Sequence, residues 1–91
     1  MVINYLSSYD RSFKKLDISA QRKAVSAIDD FLSFLNSRYK PEGLGLKKLY
    51  KNYWEIRIDI RIRIIFQLAG GVINIAFIGG HNAVRAFIKK L

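Results

Sequence analysis

The stretch Trp54-Glu-Ile-Arg-Ile-Asp-Ile-Arg-Ile-Arg-Ile-Ile-Phe66 alternates apolar and charged residues along its length. In an extended chain successive side chains point to opposite faces. Trp54, Ile56, Ile58, Ile60, Ile62 and Ile64 therefore gather on one side, and Glu55, Arg57, Asp59, Arg61 and Arg63 on the other. This pattern predicts a half-buried sheet with one face toward a core and one cationic face. A single strand of this length would be unusual, which places a bend at Asp59-Ile60. The cationic face is either the wetted side of an ordinary antiparallel sheet or a surface with a task.

Working outward, Gly70-Gly71 separates Phe66-Gln-Leu from the apolar run Val72–Ile78, the signature of a tight hairpin between antiparallel strands. Upstream, Asn36 to Gly45 holds the only proline and two glycines and reads as a loop. Before it, Ala24, Val25, Ile28, Phe31, Leu32 and Leu35 recur at three and four, the spacing of one buried helical stripe, with Ser19 as the expected cap. Val2 to Leu6 is β-prone, and Ser7-Ser8 can cap a brief helix through Leu16. At the other end, Asn82 can cap a terminal helix with Val84, Phe87, Ile88 and Leu91 on an apolar stripe and Arg85, Lys89 and Lys90 on a basic one. The expected fold class is α+β, in the order β-α-α-β-β-β-α. An N-terminal two-helix hairpin covers one face of a small, mostly antiparallel sheet, and a short C-terminal helix lies near the sheet's end, leaving the other face for a partner or substrate.

Ninety-one residues, 51% of them apolar and 13% aromatic, supply one compact core, so residues 1–91 are read as a single domain. The net charge of +9 is uneven: residues 1–45 contribute +2 and residues 46–91 contribute +7. Such a field attracts a polyanion, whether nucleic acid, an anionic membrane surface or an acidic protein. The longest apolar run is too short to span a bilayer, and the first residues lack the basic and apolar regions of a secretion signal, so a cytoplasmic location is expected. With no cysteine and one histidine, neither a disulfide framework nor a transition-metal site is expected, and no cofactor.

Four segments, taken in order, carry a resemblance: Leu46-Lys-Lys-Leu49, Tyr53-Trp-Glu-Ile-Arg57, Ile62-Arg-Ile-Ile-Phe-Gln67 and Ile78-Gly-Gly-His-Asn-Ala-Val84. Each is loose alone. Their succession over nearly the whole chain resembles the RelE/ParE toxin superfamily. The resemblance implies the toxin of a type II toxin–antitoxin pair, silenced by a cognate antitoxin. RelE-like members cut messenger RNA on the ribosome without metal, which stops translation, whereas ParE-like members poison DNA gyrase. A degenerate toxin that only binds its antitoxin is a third possibility.

Metal-free cleavage by the ribose 2′-hydroxyl needs an acceptor for the hydroxyl proton, cations for the charge building on the phosphate, and a donor for the departing 5′-oxygen. By the resemblance, Arg63 stands where the pattern has a phosphate-holding arginine, and Arg57 supports it. His81 stands where the RelE pattern has a second arginine, and an imidazole can move a proton in either direction near neutrality. The pattern's hydroxyl-activating lysines are replaced by Tyr53 and Glu55. Glu55 is then either the base or an ion-pair partner of the arginines. Lys47, Lys48, Lys51, Arg61 and Arg85 are expected to hold RNA backbone, and Phe87 falls where the RelE pattern has a tyrosine, to stack on a base or to pack in the core.

Overall fold

The computed structural model of the chain describes residues 2–37 and 45–91. Most of the loop expected between Asn36 and Gly45 lies outside the described residues. Eight elements follow one another: β1 (Val2–Tyr5), α1 (Ser7–Lys14), α2 (Ile18–Ser37), β2 (Lys47–Tyr50), β3 (Tyr53–Arg57), β4 (Ile62–Ala69), β5 (Val72–Gly80) and α3 (His81–Lys89). The five strands form one sheet in the order β1-β5-β4-β3-β2, antiparallel except where β1 runs parallel to β5. Lys47–Tyr50 is thus an edge strand, one more than the sequence predicts. Its basic composition and its irregular register between Lys48 and Tyr50 hide it from a search for apolar alternation.

The long alternating stretch does bend at Asp59. The Asp59 carboxylate accepts the backbone N–H groups of Arg61 and Ile62, both at 2.8 Å, and so builds the turn from a side chain. These two bonds hold the carboxyl below its ordinary pKa, and Lys23, 3.6 Å away, adds to the effect. Ile60 sits at the tip of this turn, 82% exposed, and so leaves the core parity that the alternation assigned to it. At the next turn, Gly70 and Gly71 have φ of +55° and +80°, the pair of left-handed residues that a two-residue hairpin matched to strand twist requires.

Ile56, Ile64, Phe66, Ile73, Ile75 and Ile78 form the core face, packed under Tyr9 of α1 and Ala24, Ile28 and Phe31 of α2. Phe31 and Phe66 meet with ring centroids 4.5 Å apart. Val25, expected on the α2 stripe, is instead 53% exposed. The cap of α2 is Asp17 rather than Ser19: its Oδ1 accepts the Ala20 N–H at 2.8 Å. No cap bond comes from the side chain preceding α1 either. The hydroxyls of α1 serve the sheet instead. β1 ends opposite Ile75, and beyond it Ser8 donates to the Ala76 carbonyl while the Ile78 N–H donates to Ser12, bonds of 2.5 and 3.1 Å.

Between Ile65 and Phe66 of β4, the β5 register skips Ala76, a bulge that exchanges the faces of β5. Ile73 and Ile75 before it, and Ile78 after it, can therefore all reach the same core. The second face is not left open. Helix α3 crosses it, burying Val84 and stacking Phe87 on Phe77 with centroids 4.7 Å apart. Ile65, on that face, is fully buried as well.

Candidate active site

Where β2, β3 and β4 run past the start of α3, the second face opens into a cleft of about 180 Å³. Lys47 comes from β2, Glu55 and Arg57 from β3, Arg63 from β4, and His81 and Arg85 from α3. Strand pairing explains the convergence. Lys47 stands opposite Glu55, and Arg57 stands opposite Arg63, so residues of one parity on three adjacent strands share one floor. Gly45 lies tightly over this floor with φ of +61°, and a Cβ there would come within 3.0 Å of the Arg57 Cβ.

Two arginines directly opposite one another in an antiparallel pair repel. Glu55 offsets this: its Oε2 lies 3.2 Å from the Arg63 Nε, with the two side chains only 8% and 18% exposed. The carboxylate lies at the Nε edge, and among the described residues the terminal Nη groups of Arg63 make no hydrogen bond. A guanidinium fixed at one edge and free at the other fits the geometry of a bidentate phosphate contact. Arg57, His81 and Arg85 are exposed at the mouth. His81 is the first residue of α3, preceded by Gly80, which offers no side-chain cap, so the unpaired N–H groups of that first turn add a partial positive charge at the same place.

Not every residue singled out in the sequence joins this cluster. Lys48 points its ammonium at the Trp54 ring, 5.9 Å from the centroid, and Lys51 lies 5.2 Å from the Tyr50 centroid in the β2–β3 turn. Arg61 belongs to the Asp59 turn. Phe87 lies against Phe77, their planes 14° apart, and lines a different groove. Conversely, the apolar wall of the cleft, Leu49, Val84 and Ile88, has no chemical motif to mark it. Only the helical spacing of Val84 and Ile88 hinted at their burial. Among the described residues no group of three or more His, Cys, Asp or Glu side chains is arranged to hold a metal ion, and no helix is long and apolar enough to cross a membrane.

No protein-family model matches the sequence, and no curated protein does. Solved structures do match. A chain of the RelB-RelE antitoxin-toxin complex from Methanococcus jannaschii superposes with a TM-score of 0.71 at 17% identity, over 92% of this chain and 96% of that one. A chain of the E. coli DinJ-YafQ toxin-antitoxin complex gives 0.66 at 19% identity, over 90% and 93%. The YoeB dimer from Staphylococcus aureus gives 0.63 at 22% identity, over 89% and 97%. These identities are low while the coverage is nearly complete in both directions, so what is shared is architecture: the chain has the fold of the RelE/ParE toxin superfamily.

Proposed function

We propose that this protein is the toxin of a type II toxin–antitoxin pair and that it cuts messenger RNA on the ribosome. The observation that carries the reading is the cleft itself: Lys47, Arg57, Arg63, Arg85 and His81 converge there from four elements, and a nearly buried Glu55 holds Arg63 in place. A basic surface evolved only for solubility would not need two arginines in register opposite one another.

In the proposed reaction the 2′-oxygen attacks the adjacent phosphorus, the bond to the 5′-oxygen breaks, and the products carry a 2′,3′-cyclic phosphate and a 5′-hydroxyl. One proton must leave the 2′-oxygen and one must arrive on the 5′-oxygen. His81 carries out one of these transfers, and the other is left to water in the exposed mouth of the cleft. Arg63, through its free Nη groups, and Arg57 stabilise the charge that accumulates on the phosphate oxygens, which is the kind of contribution that preorganised cations make best. Glu55 acts by positioning Arg63. Lys47 and Arg85 hold the flanking backbone at the rim, and Lys48, Lys51 and Arg61, lying outside the cleft, are left to dock on more distant RNA. The site of action is the cytoplasm, the partners are ribosome, message and a cognate antitoxin, and the residues named call for no cofactor.

Primer extension on a defined message in a reconstituted translation system tests this, with wild-type protein beside His81→Ala and Arg63→Ala. New 5′ ends that require ribosomes and disappear in both variants support the proposal. Intact message with translation unimpeded refutes it; gyrase inhibition in a supercoiling assay would then identify a topoisomerase poison instead.

A further inference from the structure

The sheet face that carries the cleft continues past it toward the Gly70-Gly71 hairpin. Along β3 the parity of Arg57 and Glu55 leads to Tyr53, and along β4 the parity of Arg63 leads through Ile65 to Gln67, which stands opposite Tyr53. Helix α3 stacks on Phe77, the partner of Ile65. Gln67 and its partner Asn74 lie beyond that point and remain partly exposed.

There a row of side-chain amides crosses the sheet. Asn4 Nδ2 donates to Asn74 Oδ1 at 3.1 Å, Asn74 Nδ2 to Gln67 Oε1 at 3.2 Å, and Gln67 Nε2 to Asn52 Oδ1 at a longer 3.5 Å. Most side-chain hydrogen bonds in proteins go to backbone or water, so a face that is merely wetted needs no such series. The series also has one direction: turning either interior amide over would set N–H against N–H and oxygen against oxygen. Asn74 and Gln67 are thereby held in fixed orientations, and each keeps one N–H and one oxygen lone pair unspent among the described residues. An adjacent donor and acceptor on one amide is the pattern that pairs with adenine.

Two further groups suit a nucleotide. Tyr53 has no ring partner among the described residues and offers a surface on which a base can stack. Lys51, in the same turn as Asn52, brings a cation to the end of the row. Gln67 lies four strand residues from Arg63, as Tyr53 does from Arg57. That separation is about 13 Å, a span of about two to four nucleotides of single strand.

We infer that Gln67 and Asn74 read a base of the bound message, adenine in preference to the others, with Tyr53 as its stacking partner. The inference rests on the nuclease reading for its substrate and adds to it two specificity-determining residues outside the cleft.

Cleavage is measured on ribosome-bound messages in which each position within about four nucleotides of a cut is made adenine or uracil in turn. At one position the wild-type protein should cut the adenine message about fivefold faster or more, and Gln67→Met should bring that ratio to about one. Absence of any such position, or a ratio that survives Gln67→Met, overturns the inference. Where Gln67→Met fails to fold, or the wild-type protein leaves every message intact and the nuclease reading falls, a titration of isotope-labelled wild-type protein decides the matter. Saturable shifts of the Gln67 and Asn74 side-chain amides, larger with oligoadenylate than with oligouridylate, uphold the inference; unmoved amides, or equal shifts with both, overturn it.

Discussion

Replacing Glu55 with glutamine separates two jobs that a carboxylate could have in the proposed RNA-cutting site, positioning a cation or accepting a proton. In the structure Glu55 Oε2 lies 3.2 Å from Arg63 Nε, and the pair is largely shielded, at 8% and 18% side-chain exposure. Glutamine keeps an oxygen facing the same guanidinium edge and loses only the charge. A shielded contact between two charges is stronger than one between a charge and a neutral amide, so the substitution should remove about 1 kcal/mol. For a domain of this size that lowers the melting temperature by roughly 4–8 °C. If the same energy is what aligns Arg63 with the phosphate, single-turnover cleavage should slow by about tenfold or less, with an unchanged pH profile. Loss of a general base costs far more, on the order of 10²–10⁴ in rate. Thermal denaturation and ribosome-dependent cleavage are measured on the same preparation. A fall in cleavage beyond a hundredfold with the melting temperature unmoved would refute the positioning role and make Glu55 the base.

Three further outcomes are expected. Ser12→Ala removes the hydroxyl that accepts the Ile78 N–H and leaves that donor buried and unpaired; chemical denaturation should show a loss of about 1–3 kcal/mol. Tyr9 is 4% exposed, and burial first, then Tyr5 and Asp10, push its phenol up from 10.0 to about 12. Its folded pKa lies above the unfolded one, so its contribution is intact below pH 10 and is lost as pH rises toward 12, about 2–3 kcal/mol in all; Tyr9→Phe should flatten stability across that window. Asp59 is shifted the other way by the Arg61 and Ile62 N–H groups, so its contribution is full above the ordinary value of 3.8 and disappears as pH falls through the folded pKa. The stability gap between wild type and Asp59→Ala, followed by denaturation at successive pH values, should close on acidification below that point and nowhere above it.

The parts of the fold that sequence patterning revealed are those with a single local cause. Gly70-Gly71 can form only a tight turn, Asp59 is the one residue in its stretch able to bond its own backbone, and the α2 stripe needs only its own spacing. The parts it concealed depend on distant neighbours. Lys47–Tyr50 becomes a strand because β3 offers it an edge. The bulge at Ala76 reverses the side-chain parity of β5, which no alternation rule anticipates. At the site, the resemblance singled out Arg57, Arg63, Glu55 and His81, and all four line one cleft; Lys47 joins them through register with Glu55. Lys48 has the opposite parity and meets Trp54, and Phe87 meets Phe77 because α3 lies flat across the second face rather than at the sheet's end.

Among the described residues strand β1 has one neighbour, and that neighbour is 70 positions away: Asn4 bonds Asn74 across the parallel pair. During synthesis the first strand and the helix behind it therefore have no sheet to join until β5 has been made, and closing so long a loop must come before the contacts that reward it. Arg63 and His81 flank that same late strand on either side. A nascent chain that has not yet reached His81 therefore carries Arg57 and Arg63 without the cleft that later gathers them.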